Sequence, residues 1–157
     1  MIFFLSENRP SPQALMKIKI RKAEMHDIDS IAALSLELGY RPEKSEIEIK
    51  LVKFSPDPNE AVYVAETDKV LGWMHISHVE PLESKPFVEI RGIVVDQEYR
   101  GKGIGTQLIV KAEEWAKERG CSKIRVRTNI EREETRQYYR RLNFISKKTQ
   151  EVFEKEL

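Results

Sequence analysis

The stretch FVEIRGIVVDQEYRGKGIGTQLIVKAEEWAKERGCSKIRVRT, residues 87–128, leaves little freedom of fold. It opens with a run whose second half is continuously apolar, the pattern of a strand covered on both faces. Ile104, Leu108, Ala112, Trp115 and Ala116 then fall on one stripe of a helix, and Gly120 stands where a C-cap glycine belongs. KIRVRT follows, alternating apolar and cationic side chains as a half-buried strand does. A helix of this length between two strands joins them in parallel by a right-handed crossover, so the chain needs a sheet with at least one parallel pair.

The flanking sequence supplies the rest of one domain. MKIKIRK alternates as a strand, and Ile28, Ile31, Ala32 and Ser35 recur at helical spacing until Gly39. PEKSEIEIKLVKF reads as a second helix, AVYVAE and VLGWMHISHV as a hairpin turned at TDK, and REETRQYYRRL as a last helix. FISKKTQEVFEKEL is expected to close the sheet as a hairpin or strand pair. Residues 1–15, with Pro10 and Pro12 in a polar tract, are expected to be an appendage outside the fold, and residues 16–157 a single domain. The five apolar residues before Ser6 are too few for a secretion signal or a membrane span. One cysteine, Cys121, allows no internal disulfide and suits a reducing compartment, so a cytoplasmic location is expected. With 27 basic and 26 acidic residues, the chain has no overall field to draw nucleic acid or an anionic membrane.

Gly101, Gly103 and Gly105 sit where the buried strand gives way to the helix. There the first N–H groups of the helix lack partners and its positive dipole end points outward, a geometry that binds phosphate. Glycine keeps Cβ atoms out of the way, and Arg100 and Lys102 add charge at the same mouth. Lys102 is followed by Gly103 rather than Ser or Thr, which disfavours a nucleotide-hydrolysing P-loop, and G-x-G-x-G is not the dinucleotide fingerprint. His75 and His78 point to opposite faces of a strand, His26 is remote, and no metal site is expected. Ser77 has no glycine elbow, and Trp73 and Trp115 read as core.

With Arg100, Gly103 and Gly105 in place, the sequence resembles the GNAT superfamily of N-acetyltransferases, whose pyrophosphate loop carries R/Q-x-x-G-x-G/A. IRKAEMHDIDSIAAL, VYVAETDKVLGWMHI, GIVVDQEYRGKGIGTQLI and RTNIEREETRQYYRRLNF are similar to successive family segments, although Asn143 stands where glycine is common; asparagine also tolerates a left-handed backbone. The resemblance implies an α+β fold: a mostly antiparallel mixed sheet with one splayed parallel pair and about four helices. It implies acetyl-CoA as co-substrate, with its pantetheine arm and thioester along the backbone of Ile93, Val94 and Val95. The pyrophosphate would lie on Gly101, Lys102, Gly103, Ile104, Gly105 and Thr106 with Arg100 beside them, and Asn129 would touch the cofactor or simply cap its strand.

Glu89 lies eleven residues before Arg100, the spacing at which some family members place the base that deprotonates the amine, often through water. Alternation puts it on one face with Arg91 and Ile93, so the choice is between a base and a structural Glu89–Arg91 pair. Tyr139 matches the tyrosine that in the family protonates the departing thiolate, and Tyr138 diverges from it by about 100°; the alternative for either tyrosine is a place in the core. The acceptor is expected to be a small-molecule or peptide amine, with Glu37, Tyr40, Glu43, Glu80 and Glu83 in stretches that could meet it, and a homodimer is compatible with the family. Two alternatives stand beside catalysis: a silent acyl-CoA sensor, and a nucleic-acid module between Arg119 and Arg141, where eight basic residues face Glu131, Glu133 and Glu134.

Overall fold

The computed structural model describes residues 2–3 and 17–157. Strands β2 (Lys19–Lys22), β3 (Glu60–Glu66), β4 (Val70–Val79) and β5 (Phe87–Val95) lie side by side, each antiparallel to the next. The outer edge of β5 is shared. Its residues Val88 to Ile90 pair in parallel with β6 (Ile124–Val126), and Ile93 and Val94 pair in parallel with a dipeptide strand β1 (Ile2–Phe3). Helices α1 (Ile28–Ser35) and α2 (Lys44–Phe54) pack on one face. Helix α3 (Ile104–Glu118) and the first aromatic residues of α4 (Glu133–Arg141) join the core on the other. A mostly antiparallel sheet with a parallel β5–β6 pair and four helices is the expected architecture; β1 adds a second parallel pairing. Of residues 1–15 only this dipeptide is described, and its backbone is in the sheet rather than outside it.

The apolar stripe of α3 is legible because it is so regular: Ile104, Leu108, Ala112, Trp115 and Ala116 are all buried. Gly39, Gly120 and Asn143 end their helices in the left-handed conformation. After Gly120 the Cys121 N–H returns to the Ala116 carbonyl, and after Asn143 the Phe144 N–H returns to that of Tyr139, so both chain reversals satisfy the last turn. Arg21 of β2 bonds both Asp27, at the entry to α1, and Glu66 of β3, which fixes α1 against the sheet edge.

Two expectations are corrected. Residues 144–157 form no strand: six of these 14 are charged, apolar Ile145, Val152, Phe153 and Leu157 do not alternate, and all four are exposed. Such a segment has no apolar face to place on a sheet, and an isolated hairpin is marginal. The second correction lies within β5. His75 of β4 pairs with Gly92 and Ile76 with Ile90, so Arg91 is the extra residue of a β-bulge. The bulge reverses alternation. Val88, Ile90, Ile93 and Val95 all join the core cluster on the α3 side. Val94 instead packs with Leu34 and Leu38 under α1, so Glu89 lies on the face opposite Ile93.

Candidate active site

The turn into α3 is built for exposed amides. Asp96 Oδ1 accepts the Glu98 N–H at 3.0 Å, tightening the turn Gln97–Tyr99. Gly101 (φ 75°) and Gly103 (φ 82°) then take left-handed conformations that only glycine adopts without strain. The first helical bond of α3 runs from the Gln107 N–H to the Gly103 carbonyl, so the amides of Ile104, Gly105 and Thr106 have no carbonyl within the helix. The first turn carries no acid, and a Cβ on Gly103 would meet nothing within 4 Å. Three N–H groups and a dipole end are therefore left without helical partners beside the open space at Gly103. Lys102 and Lys69 each place Nζ 5.0 Å from the Tyr99 ring centroid, bringing two ammonium groups to this corner.

Arg100 is not one of the charges at the mouth, contrary to expectation. Its side chain is 5% exposed; Nε donates to the Val95 carbonyl at 2.9 Å and Nη2 to Glu37 Oε2 at 2.7 Å. Glu37 also accepts the Gln97 N–H at 3.1 Å. Burial pushes the guanidinium below its usual range, with the Glu37 carboxylate opposing that. Arg100 is thus a strut that ties the end of β5 and the turn after α1 to the glycine loop. Ile93, Val94 and Val95 use one edge to pair with β4, and β6 leaves their other edge after Ile90. In the structure that edge is paired at Ile93 and Val94 with Ile2 and Phe3.

On the α1–α2 face, one register row crosses four strands: Glu60, Ser77, Glu89 and Arg125. Glu60 Oε2 accepts the Ser77 hydroxyl at 2.7 Å and lies 2.7 Å from His75 Nε2. His75 stacks on Phe54 with centroids 4.8 Å apart, and burial lowers its pKa although Glu60 pulls the other way. Glu89 is 4% exposed; Oε2 accepts Arg91 Nη1 at 2.7 Å, and Oε1 lies 2.9 Å from Arg127 Nε, whose N–H is not aimed at it. The Glu89–Arg91 pair therefore forms, with a second guanidinium beside it. Above this row α1 and α2 enclose a cavity of about 470 Å³ whose walls include Tyr40, Phe54, Trp73, His75, Arg91 and Gly92. A Cβ on Gly92 would sit 3.0 Å from the Trp73 ring, so a larger residue there would make that ring shift by a few tenths of an ångström.

Tyr139 is buried in the α3-side cluster, edge-on to Tyr138 at 5.4 Å and to Phe144 at 5.3 Å. Burial raises its phenol well above the ordinary value, so it keeps its proton at neutral pH. Tyr138 points its hydroxyl to Thr106 Oγ1 at 3.3 Å, reaching the first turn of α3. Asn129 is exposed and its Oδ1 accepts the Glu131 N–H at 3.0 Å, the capping geometry.

The acetyltransferase (GNAT) family model matches residues 25–144, taking in both the glycine corner and the cavity. The chain belongs to the GNAT family. Over 69 residues it is 39% identical to an uncharacterized N-acetyltransferase of Methanocaldococcus jannaschii, which is 44% of this chain but only 30% of that protein's length. Over 130 residues it is 31% identical to an aminoalkylphosphonate N-acetyltransferase of Salmonella typhimurium, covering 78% of this chain and 82% of that protein. A solved aminoglycoside N-acetyltransferase, AAC(6')-Iy in complex with CoA, superposes with a TM-score of 0.80 over 94% of this chain and 100% of its own, at 20% identity, a likeness of fold.

For a GNAT chain, three site features escape a reading of the sequence. Lys69 reaches the glycine corner from the β3–β4 turn, Glu60 binds His75 and Ser77 across two strands, and Glu37 locks Arg100. None has a local motif; each depends on pairing between distant segments. Among the described residues no helix is long and apolar enough to cross a membrane.

Proposed function

We propose that this GNAT protein is an acetyl-CoA-dependent N-acetyltransferase that moves an acetyl group from the thioester directly to a primary amine. The observation that carries the reading is the open amide corner at the end of β5, with a cavity for a second substrate beside the bulge of the same strand. Amides from Gly101 to Thr106, with Lys102, hold the diphosphate, and the pantetheine arm takes the edge of Ile93, Val94 and Val95 in place of the Ile2–Phe3 pairing found there. Glu89 takes the amine proton through water as nitrogen attacks the acetyl carbon. Tyr139 offers its phenol proton to sulfur as the carbon–sulfur bond breaks, leaving N-acetylated amine and CoA thiol.

Asn129 supports the loop after β6 by capping it. Residues 16–157 form the catalytic domain. The buried Cys121 suits a reducing, cytoplasmic setting.

One observation favours a second base. His75 lines the cavity, is anchored by Glu60 and is held toward its neutral form by burial. Glu89→Gln and His75→Gln, each measured as kcat against pH with an amine that is turned over, separate the two. The assignment expects Glu89→Gln to remove about a hundredfold of kcat at every pH. Loss of that size in His75→Gln alone would move the role to His75.

The nucleic-acid alternative loses support from where its cations go. Arg119 stacks on Trp115, Arg125 on Phe87, Arg127 sits against Glu89, and Arg136 and Arg140 meet Glu133. A silent acyl-CoA sensor would bind acetyl-CoA and release no CoA with any amine.

A further inference from the structure

The acceptor cavity has a charge pattern of its own. Of the four carboxylates in or near the expected acceptor stretches, Glu37 is committed to Arg100, and Glu43, Glu80 and Glu83 do not line the cavity. Beneath it, Glu60 is engaged by His75 and Ser77, and Glu89 by Arg91 with Arg127 beside it. The formal charges of the lining are Arg41, Lys50 and Arg91 against Glu46. Arg91 is taken by Glu89, whereas Arg41 and Lys50 have no carboxylate within ion-pair distance among the described residues. Glu46 stands one turn before Lys50 on α2, yet the two form no ion pair. A surplus of positive charge therefore stands over an aromatic-walled cavity of about 470 Å³, a size that fits a small molecule.

We infer that the amine acetylated here carries an anionic group, a phosphonate, phosphate or carboxylate, that Arg41 and Lys50 hold while its nitrogen reaches toward the bulge at Arg91 and Gly92. This rests on the N-acetyltransferase reading above and adds the class of acceptor. Two consequences follow from electrostatics. A polycationic amine is repelled by the same side chains that attract an anion. Nearby cations also favour the neutral over the protonated amine, which is the form that attacks a thioester.

The test is steady-state CoA release by the full chain at saturating acetyl-CoA, with 2-aminoethylphosphonate, phosphoethanolamine and β-alanine set against propylamine, ethanolamine, spermidine and kanamycin. The expected result is kcat/KM at least about tenfold higher for the best anionic amine than for the best neutral or polycationic one, shrinking as salt rises. Arg41→Gln and Lys50→Gln should each reduce that ratio about threefold or more, and Lys53→Gln, on the same helix but outside the cavity, should not. Preference for neutral or polycationic amines, or a ratio unmoved in both Arg41→Gln and Lys50→Gln, would overturn the inference and leave N-acetyl transfer standing. Binding of acetyl-CoA with turnover of none of the amines would overturn both.

Discussion

The glycine corner and the cavity proposed for the acceptor lie along one bulged stretch of β5, yet they are made of different material. The corner is main chain: three amides at the head of α3, presented by two left-handed glycines and braced by a buried arginine. The cavity is side chain: Tyr40, Phe54, Trp73, His75 and Arg91 form its walls, His75 held from behind by Glu60 and Arg91 by Glu89, under a rim whose cations come from α2 and the turn before it. A ligand common to many reactions can be held by groups every residue possesses, provided the backbone is shaped correctly. A ligand particular to one enzyme needs side chains, and those can be exchanged without disturbing the fold.

If that contrast is right, substitutions at the two sites should separate binding from turnover. The largest expected effect is at the reacting centre: Glu89→Gln lowers kcat about a hundredfold while acetyl-CoA binds as before, and equal kcat values would remove Glu89 from the mechanism. Tyr139→Phe should cost turnover about tenfold, again without weakening acetyl-CoA. At the corner the pattern inverts. Gly103→Val forces a branched side chain into a φ of 82° and should weaken acetyl-CoA about tenfold by calorimetry, whereas Lys102→Gln, removing one screened charge, should weaken it about two- to fivefold.

Arg100→Gln sharpens the distinction between charge and strut: it should lower stability by about 2 kcal/mol in denaturant titration, because Glu37 and the Val95 carbonyl lose their partner. A change in acetyl-CoA affinity without a change in stability would return Arg100 to the mouth.

The smallest effect concerns pH. His75 has its pKa lowered by burial, so its contribution to stability is present above the ordinary imidazole pKa and is lost as pH falls through the folded value. Thermal midpoints of the native protein should therefore drop more steeply than those of His75→Gln on going from pH 7 to pH 5.

How much of this could be seen in the sequence follows the same division. The α3 stripe, the glycine turns and the left-handed role of Asn143 are local patterns, and the structure places them as expected. The face of Glu89 is not legible in the sequence because the bulge at Arg91 is defined by which residues of β4 lie opposite, and no pattern within FVEIRGIVV announces it. Arg100 reads as an anion-binding cation only while Glu37, 63 residues away, is ignored. The closing hairpin expected over residues 144–157 does not form because this charged tail has no apolar face to set against a sheet edge. The pairing of Ile2–Phe3 with Ile93 and Val94 had no signal in the sequence either, and it covers the edge proposed for the pantetheine arm.

Calorimetric titration of acetyl-CoA into the full chain probes the corner most directly. One site per chain, weakened by salt and about tenfold weaker in Gly103→Val, is the predicted result. The absence of any binding heat, or an affinity unchanged in Gly103→Val, would contradict it.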